Sequence, residues 1–245
     1  MARFWGILSL LAVGAAYSHA SGPASVNLGM LDATAQESLF AAWKAEANGD
    51  GAKAARLALL VSTPQVVRVR VLHEARGDDD ALNALVEEAL AEWEAAGVSF
   101  VLTESAYPEP HLTIVFQERV QGRRGPIAGK TTSRRTVTAD GALSVRTTIE
   151  IATRSPFGGR LGNAAVRKTL LHEVGHFMGL RDVGDPRDVM GPVVLGGPND
   201  VRLEERHLQA VLQLNIEASR LARLSPTPVT EDPAYRRPVV FTFPS

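Results

Sequence analysis

The chain has no cysteine among its 245 residues. That absence excludes disulfides, thiolate zinc sites, a lipidated-cysteine anchor and a catalytic thiol. It leaves export open, because many exported chains carry no disulfide. An excess of charge is lacking too: 26 Lys and Arg stand against 27 Asp and Glu, a formal net charge of −1. This balance gives no basis for bulk attraction to nucleic acid or to an anionic membrane. Lys and Arg are frequent between residues 119 and 168, and the simplest reading of them is solvated strand and loop faces rather than a polyanion site.

Long apolar runs are also missing. The nearest is residues 4–17, behind the single charge of Arg3 and ahead of Ser18-His19-Ala20. It is short for a membrane span, and small residues at 18 and 20 suit cleavage after Ala20. Residues 1–20 therefore read as a signal peptide, with the mature chain secreted or periplasmic and not inserted in a membrane. No internal repeat is visible.

What is present is ordinary globular composition, 45% hydrophobic and 22% charged, enough for one domain with a core and an appendage. The spacing predicts two helices over 33–47 and 52–61, joined by Asn48-Gly49-Asp50-Gly51. Leu39, Phe40 and Trp43 mark the buried face of the first. This hairpin, residues 21–62, reads equally as a removable pro-segment or as a packed or docking extension. Asp50 is a turn aspartate, with reach to a metal the lesser reading. From Pro64 the pattern changes. Residues 66–72 (VVRVRVL) alternate as a strand. Asp78-Asp79-Asp80 then precedes a helix over 81–96 with Leu85, Val86, Leu90 and Trp93 inside. Those acids suit the helix dipole; a structural calcium site there is unsupported by anything else in the chain. Strands follow over 98–103, 111–117 and 143–153, with a short one over 127–132. A helix capped by Asn163 spans 164–180, and a last helix spans 201–224 with Leu203, Leu208, Val211, Leu212 and Ile216 buried. Residues 225–245 are a proline-rich extended tail. The fold class is α+β, with the main domain over 63–224.

The stretch that carries chemistry is HEVGHFMGLRD, residues 172–182. His172 and His176, four apart, share one face of a helix and present two imidazoles to one Zn²⁺. Glu173 lies between them, beside a metal-bound water. Gly179 lets the helix end in a left-handed turn, and the chain swings back to offer Asp182 as third ligand. Glu204 and Glu205 on the last helix are rival ligands, farther downstream; Asp185 and His207 are weaker ones, and His207 reads as a surface helix residue. His73 and His111 read as strand-end residues.

HExxHxxGxxD followed by Met190 resembles the metzincin class of zinc metallopeptidases. Within it, HEVGHFMGLRD…DPRDVM is similar to the matrixin catalytic domain. The likeness runs from about Pro64 to Ile216 by element order. It implies a zincin fold: a mixed twisted sheet of four to five strands on two helices, then an active-site helix, a methionine turn and a C-terminal helix. It implies one catalytic zinc on His172, His176 and the third ligand, with Glu173 as general base in peptide hydrolysis. Met190 would floor the metal, and Pro192-Val193-Val194 would wall the pocket for the side chain after the cut. An extended peptide would pair with an edge strand over 127–132. Histidine is usual where this chain has Asp182; aspartate occurs there in the snapalysin-like peptidases. Two neutral imidazoles and one carboxylate leave zinc about one formal positive charge, so its water should be less acidic than in a three-histidine site. No tyrosine follows the methionine turn except Tyr235 in the tail, so the metal must carry the stabilisation that such a tyrosine gives some metzincins. With no cysteine, thiolate latency is excluded. Three readings follow: an exported zinc endopeptidase acting on protein or peptide, a catalytically silent binding or assembly protein on the same scaffold, or a metal-free domain with a chance motif. Intact His172, Glu173 and His176 favour the first. Neither substrate nor oligomeric state is legible.

Overall fold

A computed structural model describes residues 25–75, 79–138, 141–194, 197–224 and 240–242. The proposed signal peptide and most of the tail lie outside these residues, as does Asp78 of the acidic triplet.

Helices α1 (Ala33–Ala47) and α2 (Gly51–Val61) form the N-terminal hairpin. Asp32 and Asp50 cap them, each side chain accepting from the backbone N–H three residues on. Asp50 thus has a capping role, away from any metal. On α1, Leu39 is inside, but Phe40 is 51% exposed and stacks edge-on against Trp43.

Beyond the hairpin come β1 (Val66–His73), α3 (Asp79–Glu94), β2 (Ser99–Leu102), β3 (Leu112–Gln117), a small ribbon of β4 (Val120–Gly122) and β5 (Gly125–Ile127), then β6 (Gly129–Val137) and β7 (Leu143–Ala152). Helices α4 (Asn163–Phe177) and α5 (Glu205–Ala222) follow, and β8 (Val240–Thr242) comes from the tail. The main sheet has the order β2-β1-β3-β7-β6-β8. β1, β2, β3 and β7 are parallel, whereas β6 runs antiparallel to β7 from Gly129↔Ile151 to Val137↔Leu143. β8 adds a sixth strand, antiparallel against Thr132–Arg134 of β6. Parallel strands must bury both faces, and β3 accordingly reads as the apolar run Ile114-Val115-Phe116, all buried. Helix α4 packs on β6 and β7, with α3 beside it; α2 packs on α5 and β6. Trp93 of α3 is fully buried and donates its Nε1–H to the carbonyl of Leu171, 3.1 Å away.

One apolar core joins all these layers. Leu31, Leu39 and Ala58 of the N-terminal part share it with Phe177, Leu180 and Met190. Each fully buried leucine contributes about 1.5–3 kcal/mol of transfer free energy. Among the described residues no helix is long and apolar enough to cross a membrane.

Several local expectations are corrected. The fourth strand runs over Gly129–Val137 rather than 127–132, with Ile127 in β5; its inward positions Gly129, Thr131, Ser133 and Arg135 are not apolar and so show no alternation. Gly162, not Asn163, stands at the N-cap of α4, with no side-chain cap. The last helix starts at Glu205, and Ile216 on it is 38% exposed while the buried stripe is His207, Ala210, Val211, Leu214 and Ala218. His207 is fully buried rather than on the surface. Arg135 and Lys168 are also buried, so the basic residues of this region are not all solvated.

Candidate metal centre

Helix α4 is buried along most of its length, which fixes the two histidines before any ligand is considered. Gly175 lies between them in sequence and faces Met190 and Trp93. A Cβ there would overlap Met190 Sδ and press on Trp93, so the helix sits directly on the methionine. Gly179 has φ +90°, a left-handed conformation that ends the helix and turns the chain back. Asp182 comes round to face His172 and His176.

Among the described residues, these three form the group whose donor atoms could hold a metal. Asp182 Oδ1 lies 3.1 Å from His172 Nε2 and 3.2 Å from His176 Nε2; the two Nε2 atoms are 3.1 Å apart. Tetrahedral zinc with bonds of about 2.0–2.1 Å has ligand–ligand edges of about 3.3 Å, close to this triangle. The protonation pattern fits as well. His172 Nδ1 is 3.1 Å from the carbonyl of Val189, and His176 Nδ1 is 2.9 Å from the carbonyl of Leu180. A carbonyl only accepts, so each Nδ1 carries a proton, and Nε2 is the nitrogen that each ring turns inward and can offer as a lone pair to a metal. Two lone pairs and a carboxylate then converge on one point, an arrangement that calls for a cation.

The electrostatics agree. Burial alone would lower the His176 pKa, but its hydrogen bond to Asp182 and the charges of Glu173 and Asp182 raise it to about 9. Burial opposes ionisation of Asp182, yet hydrogen bonds from His172 and His176 hold its carboxyl well below the usual range. Without a metal the cluster takes a proton instead.

Glu173 is 2% exposed. Burial pushes its pKa up, with His172 and His176 pulling the other way. Thr131 of β6 donates its hydroxyl to Glu173 Oε2 over 2.7 Å. Gly129, two residues earlier on the strand, leaves the space beside the other oxygen: a Cβ there would lie 2.7 Å from Oε1 and 2.5 Å from Thr169 Cγ2. The polar inward face of β6 thus cradles the carboxylate.

A second set of buried polar groups holds the methionine turn. Asp188 Oδ1 accepts the Met190 N–H at 2.7 Å and the His207 Nε2–H at 2.9 Å, while His207 Nδ1 accepts from the Glu204 N–H. Lys168 Nζ reaches the carbonyls of Pro186 and Pro192, at 2.5 and 2.9 Å, and so ties both ends of the turn to α4. Because Val189 lies within that turn, the same groups aim the His172 ring.

The rival ligands stand elsewhere. Glu204 caps α5 and pairs with Arg206; Glu205 accepts from Gln209; Asp185 caps its own turn at Arg187 N–H. His73 stacks on Phe116, and His111 Nδ1 accepts the Arg68 N–H. Sequence reasoning missed Thr131, Lys168, Asp188 and the buried role of His207. Only His207 left a trace, since it precedes Ala210, Val211 and Leu214 by three, four and seven residues, the spacing of a buried helix stripe.

The site opens into a cleft of about 570 Å³. Its walls include Ile127, Leu161, Val183 and Val193 together with His172, Glu173 and Asp182. The matrixin family model matches residues 63–215 of the chain. No curated protein matches it.

Proposed function

The chain belongs to the matrixin family of zinc-dependent endopeptidases, and from that we propose that it is an exported peptidase with His172, His176 and Asp182 as zinc ligands and Glu173 as general base. The observation that carries the assignment is the convergence of two inward lone pairs and one carboxylate beside a buried glutamate, at the side of an apolar cleft.

When bound, zinc supplies Lewis acidity, which polarises the scissile carbonyl and makes a water nucleophilic. Glu173 takes the proton of the attacking water and later delivers it to the departing nitrogen. Burial raises its pKa above the ordinary carboxylate range, which makes it a stronger base toward that proton than an exposed glutamate. Thr131 fixes the carboxylate through Oε2, and the bare Gly129 leaves Oε1 free of a neighbouring side chain. A peptide in extended form pairs with the start of β6, over Gly129–Thr131, ahead of the residues that β8 covers. The side chain after the cut enters the cleft, whose Leu161, Val183 and Val193 favour an apolar residue.

The test compares wild type with Glu173→Ala on a broad peptide library, with zinc content measured in both. The expected result is one zinc in each and a rate loss of about 10²–10⁴ in the variant. Two equally inert, zinc-loaded proteins would overturn the peptidase reading in favour of a silent binding scaffold.

A further inference from the structure

The family match begins at residue 63, so the hairpin lies ahead of it. The hairpin nevertheless touches the loop that completes the metal site. Leu31 forms an antiparallel bridge with Leu180. The Asp32 N–H donates to the carbonyl of Gly179 at 2.9 Å, and the Arg181 N–H donates to the carbonyl of Met30 at 3.0 Å. Leu180 is thereby held on both sides. Its own carbonyl receives the His176 Nδ1–H, and two residues further on is Asp182. The far end of the same loop is pinned by the Val183 N–H donating to the Met190 carbonyl at 2.9 Å. Residues 179–183 are therefore strung between the segment 30–32 and the methionine turn.

The segment is itself fixed. Leu31 is fully buried, and its carbonyl accepts from Gln36 Nε2 at 2.7 Å. The buried Arg135 donates to the carbonyls of Leu60 and Ser62 at the hairpin's end and to that of Phe177 in the last turn of α4. None of the described hairpin residues lines the cleft. A removable pro-segment would close the cleft and leave the core intact on departure. This hairpin does the opposite.

We propose that residues 30–32 are positioning residues for the metal site. Their bridge to Leu180 sets the His176 ring and the Asp182 carboxylate together, so the hairpin is a permanent part of the catalytic unit. The proposal rests on the zinc reading above. Outer interactions that support a ligand in this way alter metal affinity by about 10–100-fold when lost.

Asp32 offers a clean probe, because its φ of −66° and the extended Leu31 before it both accept a proline. Asp32→Ala removes the helix cap and keeps the bridging N–H; Asp32→Pro removes both. Zinc release to a chelator and the visible spectrum of the cobalt-substituted protein are compared at a temperature where both variants are folded. The expected result is release at least about tenfold faster from Asp32→Pro than from Asp32→Ala, with an altered cobalt spectrum in Asp32→Pro alone. Equal release and equal spectra overturn the proposal. If Asp32→Pro does not fold, a specific protease site inserted between Pro64 and Gln65 gives the second measurement. After cutting, the two pieces should stay together with zinc and activity retained, and washing out the hairpin should release the zinc. A hairpin that leaves while zinc and activity remain overturns it. A wild type that takes up no zinc overturns the underlying reading instead.

Discussion

The loop that carries Asp182 is held from two sides by different means. On one side the methionine turn is fastened by buried ionisable groups, Asp188 with His207 and Lys168 with two proline carbonyls. On the other side the segment 30–32 is fastened mainly by backbone pairing and the burial of Leu31, with the buried Asp32 capping α1 and the buried Arg135 tying the hairpin's end to the Phe177 carbonyl. The first hold lies within the family match, and the second precedes it. Their failure should differ accordingly. A buried charge deprived of its partner keeps its full desolvation cost, so the polar hold concentrates its energy in single side chains. The apolar hold spreads its energy over many contacts, and one substitution there removes only a share.

The comparison can be broken most sharply at Asp188. Asp188→Ala leaves the Met190 N–H and the His207 Nε2–H without their acceptor and Arg206 without its partner, and should cost about 1–3 kcal/mol per orphaned buried donor in urea denaturation. Zinc affinity should fall about 10–100-fold with it, because the His172 ring is aimed by the same turn. A cost near zero would mean that the polar hold is dispensable. On the hairpin side, Trp43→Phe removes the Nε1–H donated to Glu217 of α5, which keeps Arg220. It should cost about 1 kcal/mol by calorimetry and leave zinc affinity unchanged, since this hydrogen bond joins α1 to α5 and not to the 179–183 loop. A change in zinc affinity there would show that the whole hairpin, not only its bridge, tunes the metal.

The smallest effect is a pH effect. Arg220 donates to both oxygens of Glu46, and this hydrogen bonding holds the Glu46 carboxyl below its usual range, against burial and the nearby Glu217 charge. A depressed carboxyl pKa stabilises the fold above its unfolded value of about 4.3, and that contribution is lost as pH falls through the folded value. Both side chains are partly exposed, so the contribution is modest. Glu46→Gln should flatten this part of the acid limb when melting temperature is followed from about pH 6 to pH 3. An unaltered acid limb would place the acid sensitivity elsewhere.

The legible parts of the molecule were those where apolar periodicity or a fixed motif marks the position. α1, α2 and the parallel strands fell where alternation and helical spacing put them, and Gly179 makes the expected turn that brings Asp182 beside His172 and His176. Most of the rest was hidden because the buried face was polar. β6 turns Thr131, Ser133 and Arg135 inward, each with a partner, and so shows no apolar alternation to find. His207 and Lys168 looked like surface residues because what satisfies them, a carboxylate and two carbonyls, comes from a loop with no pattern of its own. The bridge between Leu31 and Leu180 joins residues far apart in sequence through main-chain atoms, which leave no trace in side-chain identity.

The central claim is that Asp182 closes the zinc site. Zinc affinity of the mature protein, measured by chelator competition for wild type, Asp182→Ala and Glu204→Ala, tests it most directly. At least about 100-fold weaker binding is expected for Asp182→Ala, more than the loss of a hydrogen-bond partner behind a ligand gives, and binding near wild type for Glu204→Ala. Unchanged affinity in Asp182→Ala, or a loss confined to Glu204→Ala, would contradict it.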